Sequence, residues 1–252
     1  MGYLDTSFSN HYIFNAKNQG TVKSLRGDVI IVAFYVSDTV SSWDDASVSQ
    51  YDKAIGEALW LLKKEAAKDG VKVDFRMAAI QRTASVDCDR HNRDTWLREV
   101  TCCDVDNGVD EYQAYYRKHY PCDELAVLFV FNKPLRDYAS SANKKYPTYG
   151  EFAVLSKTPI KRDIVHELLH QFGAKDLYYP DEVRTIAHRI LPESVMNVGS
   201  KIVIDSLTRN LIGWRDSLDH DAYAFLNATK HLTEEYIQSE LRKIWAKEDG
   251  NT

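Results

Sequence analysis

The sequence predicts an α/β fold for residues 1–180 and a smaller, mainly helical part for residues 181–252. Three observations carry this. Four short apolar runs rich in β-branched and aromatic residues punctuate the first part. A long amphipathic helix pattern separates the first two of them, and strand, helix, strand in that order implies a right-handed crossover between parallel neighbours. Past residue 180 the pattern turns helical. Together these give a mostly parallel sheet of about four to five strands with a long backing helix.

The elements follow in order. Residues 1–27 read as polar and irregular. "DVIIVAFYVSD" (28–38) is a buried strand. In "SSWDDASVSQYDKAIGEALWLLKKEAAKDG", Val48, Tyr51, Ile55, Leu59, Leu62 and Ala66 recur three and four apart, and Gly70 supplies the stop. "VKVDFRMAAI" (71–80) is the second strand. Residues 81–109 show no period and read as a long loop with room for one short helix. "DEYQAYYRKHY" (110–120) is helical, "LAVLFVFN" (125–132) a third strand, residues 134–150 a loop, and "EFAVLS" (151–156) a fourth strand. "DSLTRNLIGW" (205–214) is a short helix with Asp205 as N-cap. "TEEYIQSELRKIWAKE" (233–248) places Ile237, Leu241 and Ile244 on one face.

Composition narrows the function classes. The chain is 44% hydrophobic and 27% charged, enough for a sizeable core. A formal net charge of −5 offers nothing global to a phosphate backbone, so no nucleic acid is expected. No apolar run reaches the roughly 18 residues of a membrane span, and a monomer is expected. The first residues lack a basic segment followed by an apolar one; this predicts a cytoplasmic protein if the sequence is full-length, and a secreted one if it is trimmed. The four cysteines, Cys88, Cys102, Cys103 and Cys122, have no CxxC spacing, and free thiols and local disulfides both stay open.

The stretch "TPIKRDIVHELLHQFGAKDLYYP" (158–180) carries the chemistry. Thr158 as N-cap, Pro159 at the first helical position and Gly173 at the end punctuate a helix. Val165, Leu168, Leu169 and Phe172 form its apolar face. His166 and His170, four apart, project from the same side, a spacing that lets two imidazoles bind one Zn²⁺. Glu167 leans toward the same cleft as a candidate general base. Gly173 permits a sharp turn, after which Asp176 can fold back as a third ligand. Asp181, Glu182 and His188 are rival third ligands. The other histidines, His11, His91, His119, His188, His220 and His231, read as surface or structural.

"HELLHQFGAKD" resembles the extended zinc signature HExxHxxGxxH/D of the metzincin metallopeptidases, in the aspartate form of the snapalysin-like variant. "SVMNVG" places Met196 twenty residues after Asp176, with a serine two before it, as in that family's Met-turn. The motif match covers about residues 158–200 and the order of elements about 28–248. The resemblance implies a metzincin-like fold: a twisted, mostly parallel sheet with a backing helix and an active-site helix, a cleft, and a C-terminal subdomain (181–252) completing one catalytic unit. It implies a zinc-dependent endopeptidase acting on peptide or protein substrates, with one catalytic Zn²⁺ on His166, His170 and Asp176, Glu167 as base to a metal-activated water, and Met196 as a structural residue. Some metzincins carry a tyrosine two residues after that methionine, where this chain has Val198; Tyr178 or Tyr179 is a candidate for the missing hydroxyl. The strand nearest the cleft, within 136–156, would bind substrate as an added strand, and residues 190–205 would wall a specificity pocket. Two other readings are a zinc-site binding protein without turnover and a zinc amidase acting on a non-protein amide.

Overall fold

The computed structural model describes residues 8, 10–103, 110–145 and 150–249, with the backbone alone for 110 and 244–249. A five-stranded sheet is built from β1 (Gly27–Ser37), β2 (Val73–Thr83), β3 (Glu124–Phe131), β4 (Tyr138–Ser140) and β5 (Phe152–Leu155), in the order β2-β1-β3-β5-β4. The first three pairings along it are parallel and β4 runs antiparallel to β5 at the edge.

The continuous apolar runs of β1 and β3 have a simple cause: both sheet faces are covered. Val29, Ile31, Ala33 and Tyr35 point to one cluster, and Ile30, Val32, Phe34 and Val36 to the other. The first cluster lies under α1 (Asp45–Ala67) and α4 (Lys161–Gln171). Helix α1 starts where Asp44 accepts a hydrogen bond from Ser47 N at 2.7 Å. Its six periodic positions are all buried, as the spacing predicts. The second cluster lies under α2 (Arg93–Thr101) and α3 (Asp110–His119), where Trp96 meets Phe129 and Phe131 edge-on at 5.2 and 5.3 Å.

The C-terminal part contributes α5 (Asp181–Ile190), α6 (Ser206–Leu211), α7 (His220–Thr229) and α8 (Glu234–Asp249). Asp205 caps α6 through Thr208 N at 3.0 Å, as expected. Ile237 is buried and Leu241 packs on the core, while the Ile244 side chain lies outside the described residues. One apolar cluster includes Val165 and Leu168 of α4 together with Leu207, Leu211 and Phe225, so residues on both sides of 180 share a core.

Several expectations need correction. The helix starts at Lys161 after Ile160, not at Thr158 and Pro159, because the Thr158 carbonyl is taken by Ile160 N at 2.8 Å and the α-ladder first accepts at Ile160 O. The segment 81–109 is less loop than predicted: β2 runs on to Thr83 and α2 occupies 93–101, while 104–109 lie outside the described residues. Strand β4 lies inside a stretch read as loop, and α5 and α7 were not anticipated. All four thiols are unpaired, and burial pushes Cys88 up to about 12. No described helix is long and apolar enough to cross a membrane.

The irregular N-terminal segment is also more ordered than its polarity suggests. A short turn, Tyr12–Phe14, is buried, and Val22 and Leu25 join the same core. The strap between them is held by carboxylates: Glu151 accepts from Thr21 N (2.9 Å) and Val22 N (3.1 Å), and Glu124 from Lys23 N (3.1 Å) and Ser24 N (3.2 Å). His11 locks the other end, accepting from Ile13 N at Nδ1 (3.2 Å) and donating from Nε2 to Thr229 Oγ1 (3.0 Å).

Burial lowers His11 to about 4, whereas the unfolded chain protonates it near 6.5. Its contribution is therefore complete above pH 6.5 and is lost as pH falls toward 4. Burial of Glu151, raised to about 7, gives the opposite slope. In thermal melts the gap between wild type and His11→Asn should narrow by on the order of 2 kcal/mol between those two pH values.

Candidate metal centre

Helix α4 carries His166, Glu167 and His170 on its cleft side while Val165, Leu168 and Leu169 are buried beneath it. Its C-terminal end is fixed to the sheet, where Gln171 Oε1 accepts from Val127 N at 3.0 Å. Gly173 then turns the chain with φ +94°, and a Cβ there would lie 3.1 Å from Ala16 O and Lys17 Cα. Both facts require glycine. The turn brings Asp176 back over the helix, as the spacing predicts.

Three lone-pair atoms converge there. His166 Nε2 and His170 Nε2 lie 3.1 Å apart. Asp176 Oδ1 is 3.0 Å from the first and 3.1 Å from the second. That oxygen is buried and has no hydrogen-bond partner. A tetrahedral zinc with bonds of about 2.0–2.1 Å spaces its ligands about 3.3 Å apart, so this triangle has nearly the size of one face of the coordination shell.

The tautomers follow from what the other ring nitrogens touch. His166 Nδ1 donates to Val195 O at 2.9 Å, and His170 Nδ1 donates to Ala174 O at 2.9 Å. A carbonyl only accepts, so each Nδ1 carries the proton and each Nε2 presents its lone pair to the centre. Two imidazole lone pairs and a carboxylate oxygen facing one another favour added positive charge. The titrations agree in direction. Burial alone would raise Asp176, but His170 and His166 beside it hold its carboxyl well below the usual carboxylate range. Burial opposes a charged His170, yet the Asp176 carboxylate outweighs it and raises the imidazole. The residues present therefore fit a divalent cation.

Glu167 stands beside the triangle, with a carboxylate oxygen within 4.8 Å of the imidazole nitrogens. Burial pushes it up to about 8, opposed by His166 and reinforced by Asp176. The tight triangle favours Asp176 over Glu167 as the candidate third ligand. Two of the three rival ligands are engaged elsewhere, Asp181 with Arg184 and Glu182 with His231, and His188 sits in the last turn of α5. Tyr178 stacks on His166 with ring centroids 5.9 Å apart, and burial with the facing Asp176 and Glu167 carboxylates keeps its hydroxyl protonated. Tyr179 lines the same cleft, its ring 6.0 Å from that of Tyr178.

The turn around Met196 lies beneath the centre and is bound to it twice. Val195 O receives His166, and Met196 O accepts from Leu177 N at 2.8 Å, next to Asp176. Met196 is fully buried, and Ser194 Oγ accepts from Met196 N at 3.1 Å. Two residues had no legible role in the sequence. Arg162 donates to Val195 O at 3.1 Å and to Asn197 O, clamping the turn to α4. Asp137 faces His166, and Ser156 N donates to it at 2.6 Å. The only sequence signal for Arg162 is its position one turn before His166.

The centre opens into a cleft of about 1120 Å³. A smaller recess of about 290 Å³ beside His166 and Glu167 is walled by Val198 and Gly199, within the stretch expected to form the specificity pocket.

Neither the protein-family models nor the curated proteins give a match. Among solved structures, the chain is similar to a metalloproteinase-II from Bacteroides fragilis at 10% identity and a TM-score of 0.38, over 78% of this chain. It spans about half of that protein's length, 54%.

Gly173→Ala should lower the thermal midpoint by several degrees, through about 1–3 kcal/mol of backbone strain. It should also weaken divalent-metal retention about tenfold or more by displacing Asp176, measured by equilibrium dialysis.

Proposed function

We propose that the chain is a zinc-dependent peptidase of metzincin type, with His166, His170 and Asp176 as ligands and Glu167 as general base. The observation that carries this reading is the convergence of three lone-pair atoms within 3.0–3.1 Å, oriented by backbone carbonyls, with one carboxylate left beside them. Zinc bound there supplies Lewis acidity, polarising a peptide carbonyl and acidifying water.

The chain's own groups do the rest. Glu167, beside the two imidazoles, would accept a proton from the attacking water and return it to the leaving amine. Tyr178, held protonated next to Asp176, places a hydroxyl donor at the rim of the centre. Strand β4 is an edge strand of the sheet among the described residues, and its residues line the cleft. An extended substrate can pair with it and place its scissile bond over Glu167. The recess bounded by Val198 and Gly199 takes the neighbouring side chain.

Wild type should hold one zinc per chain by elemental analysis, and Asp176→Ala should lose most of it after dialysis against a mild chelator. Glu167→Gln should keep zinc and thermal midpoint but lose at least about 10³-fold in kcat/KM on a casein-derived peptide. Full activity in that variant would remove the glutamate from the mechanism.

A further inference from the structure

The sheet has two outer edges, and they are finished differently. At the cleft end β4 is three half-buried residues long. At the far end β2 runs for 11 residues, all in unbroken parallel register with β1. Among the described residues no strand pairs with its outer side. An edge of this length, about 36 Å, presents a row of backbone donors and acceptors to any strand that reaches it. Proteins blunt such edges with proline, lysine, a bulge or a covering element. The strand "VDFRMAAIQRT" contains no proline, glycine or lysine, and its register shows no bulge. Its middle is apolar and open to solvent. Met77 is 37% exposed, Ala79 is exposed, and Ala78 and Ile80 are half-buried.

We propose that this edge pairs with the same edge of a second copy of the chain, antiparallel, about a two-fold axis through Ala78. The two copies must keep matching sheet faces, so the axis passes through a residue and its own copy. Charge then selects the residue. Centring on Arg76 sets that guanidinium against itself. Centring on Ala79 sets Arg76 against Arg82, and centring on Met77 sets Asp74 against Ile80. Centring on Ala78 uses the whole strand and sets Asp74 against Arg82 of the other copy, twice. It also lays Met77 on Ala79 and the Arg76 stem along Ile80. Opposite charges facing across a strand pair stabilise it, and like charges oppose it. Arg82 is prepared for the contact: its Nε has no partner among the described residues, and its Nη1 reaches only the Gln81 carbonyl, at 3.1 Å. The Asp74 side chain is 44% exposed, between Lys63 at 2.7 Å and Lys72 at 3.3 Å. The Lys72 side chain, 86% exposed, turns away at little cost. The cleft stays open, because β4 forms the opposite edge. One strand pair is a small interface, so the dimer dissociates in the micromolar range. This inference stands apart from the peptidase reading.

The test is sedimentation velocity on the full chain between about 1 and 200 µM. The expected result is a monomer–dimer equilibrium. Met77→Lys with Ala79→Lys, both at exposed positions, should leave a monomer with unchanged circular dichroism. Asp74→Arg should weaken the dimer about tenfold, and adding Arg82→Asp should restore it. Under mild oxidation Ala78→Cys should give a dimer that mass spectrometry shows to be linked at position 78, whereas Met77→Cys should not link at position 77. In wild type the β2 amides should be protected from hydrogen exchange at high concentration and lose that protection in the double-lysine variant. A chain that is monomeric throughout overturns the proposal, and slow β2 exchange in that monomer assigns the edge to another segment of the same chain. A dimer that survives both lysines, or that links at position 77 and not at 78, overturns it as well.

Discussion

The hydrogen bonds from His166 Nδ1 to the Val195 carbonyl and from His170 Nδ1 to the Ala174 carbonyl, both 2.9 Å, set the character of the whole cleft. Each takes up the proton-bearing side of an imidazole and turns a bare nitrogen inward. Without them the rings could rotate or change tautomer, and the triangle with Asp176 would lose its common centre. Much of the surrounding structure maintains these two contacts. Arg162 holds the Val195 carbonyl from the other side, Gly173 brings the Ala174 carbonyl under His170, and Gln171 pins the helix end to β3. The sheet is the rigid base against which this alignment is kept.

What the sequence made legible was what repeats or punctuates. The apolar positions of α1 recur with a helical period, and all of them are buried. Strands β1 and β3 are apolar on both faces because helices cover both, which yields long, unmistakable runs. Strand β4 has three half-buried residues, too short for a period to exist. Helix α5 has only Val183 and Ala187 buried, so its apolar stripe is faint beside its charges. The start of α4 misled for a different reason: Thr158 and Pro159 have the chemistry of a helix start, but a tight turn ending at Ile160 used the first carbonyl.

The candidate centre was readable because the three groups that converge there lie within a few turns of chain, at spacings that geometry alone restricts. Its supports were less so. Val195 acts through a backbone carbonyl, which leaves no mark on residue identity. Arg162 and Asp137 act across the fold, where pairing depends on topology.

The 29-residue separation between His166 and Val195 also gives the centre a place in the history of each molecule. A ribosome adds on the order of 5–20 residues per second, so α4 is made seconds before the carbonyl that orients its first histidine. Until Val195 has been made, the His166 ring lacks the acceptor that fixes its orientation. Competence arrives late, with the segment that also completes the shared core. The geometry of the candidate centre is complete only once residue 195 has been made and the fold closes.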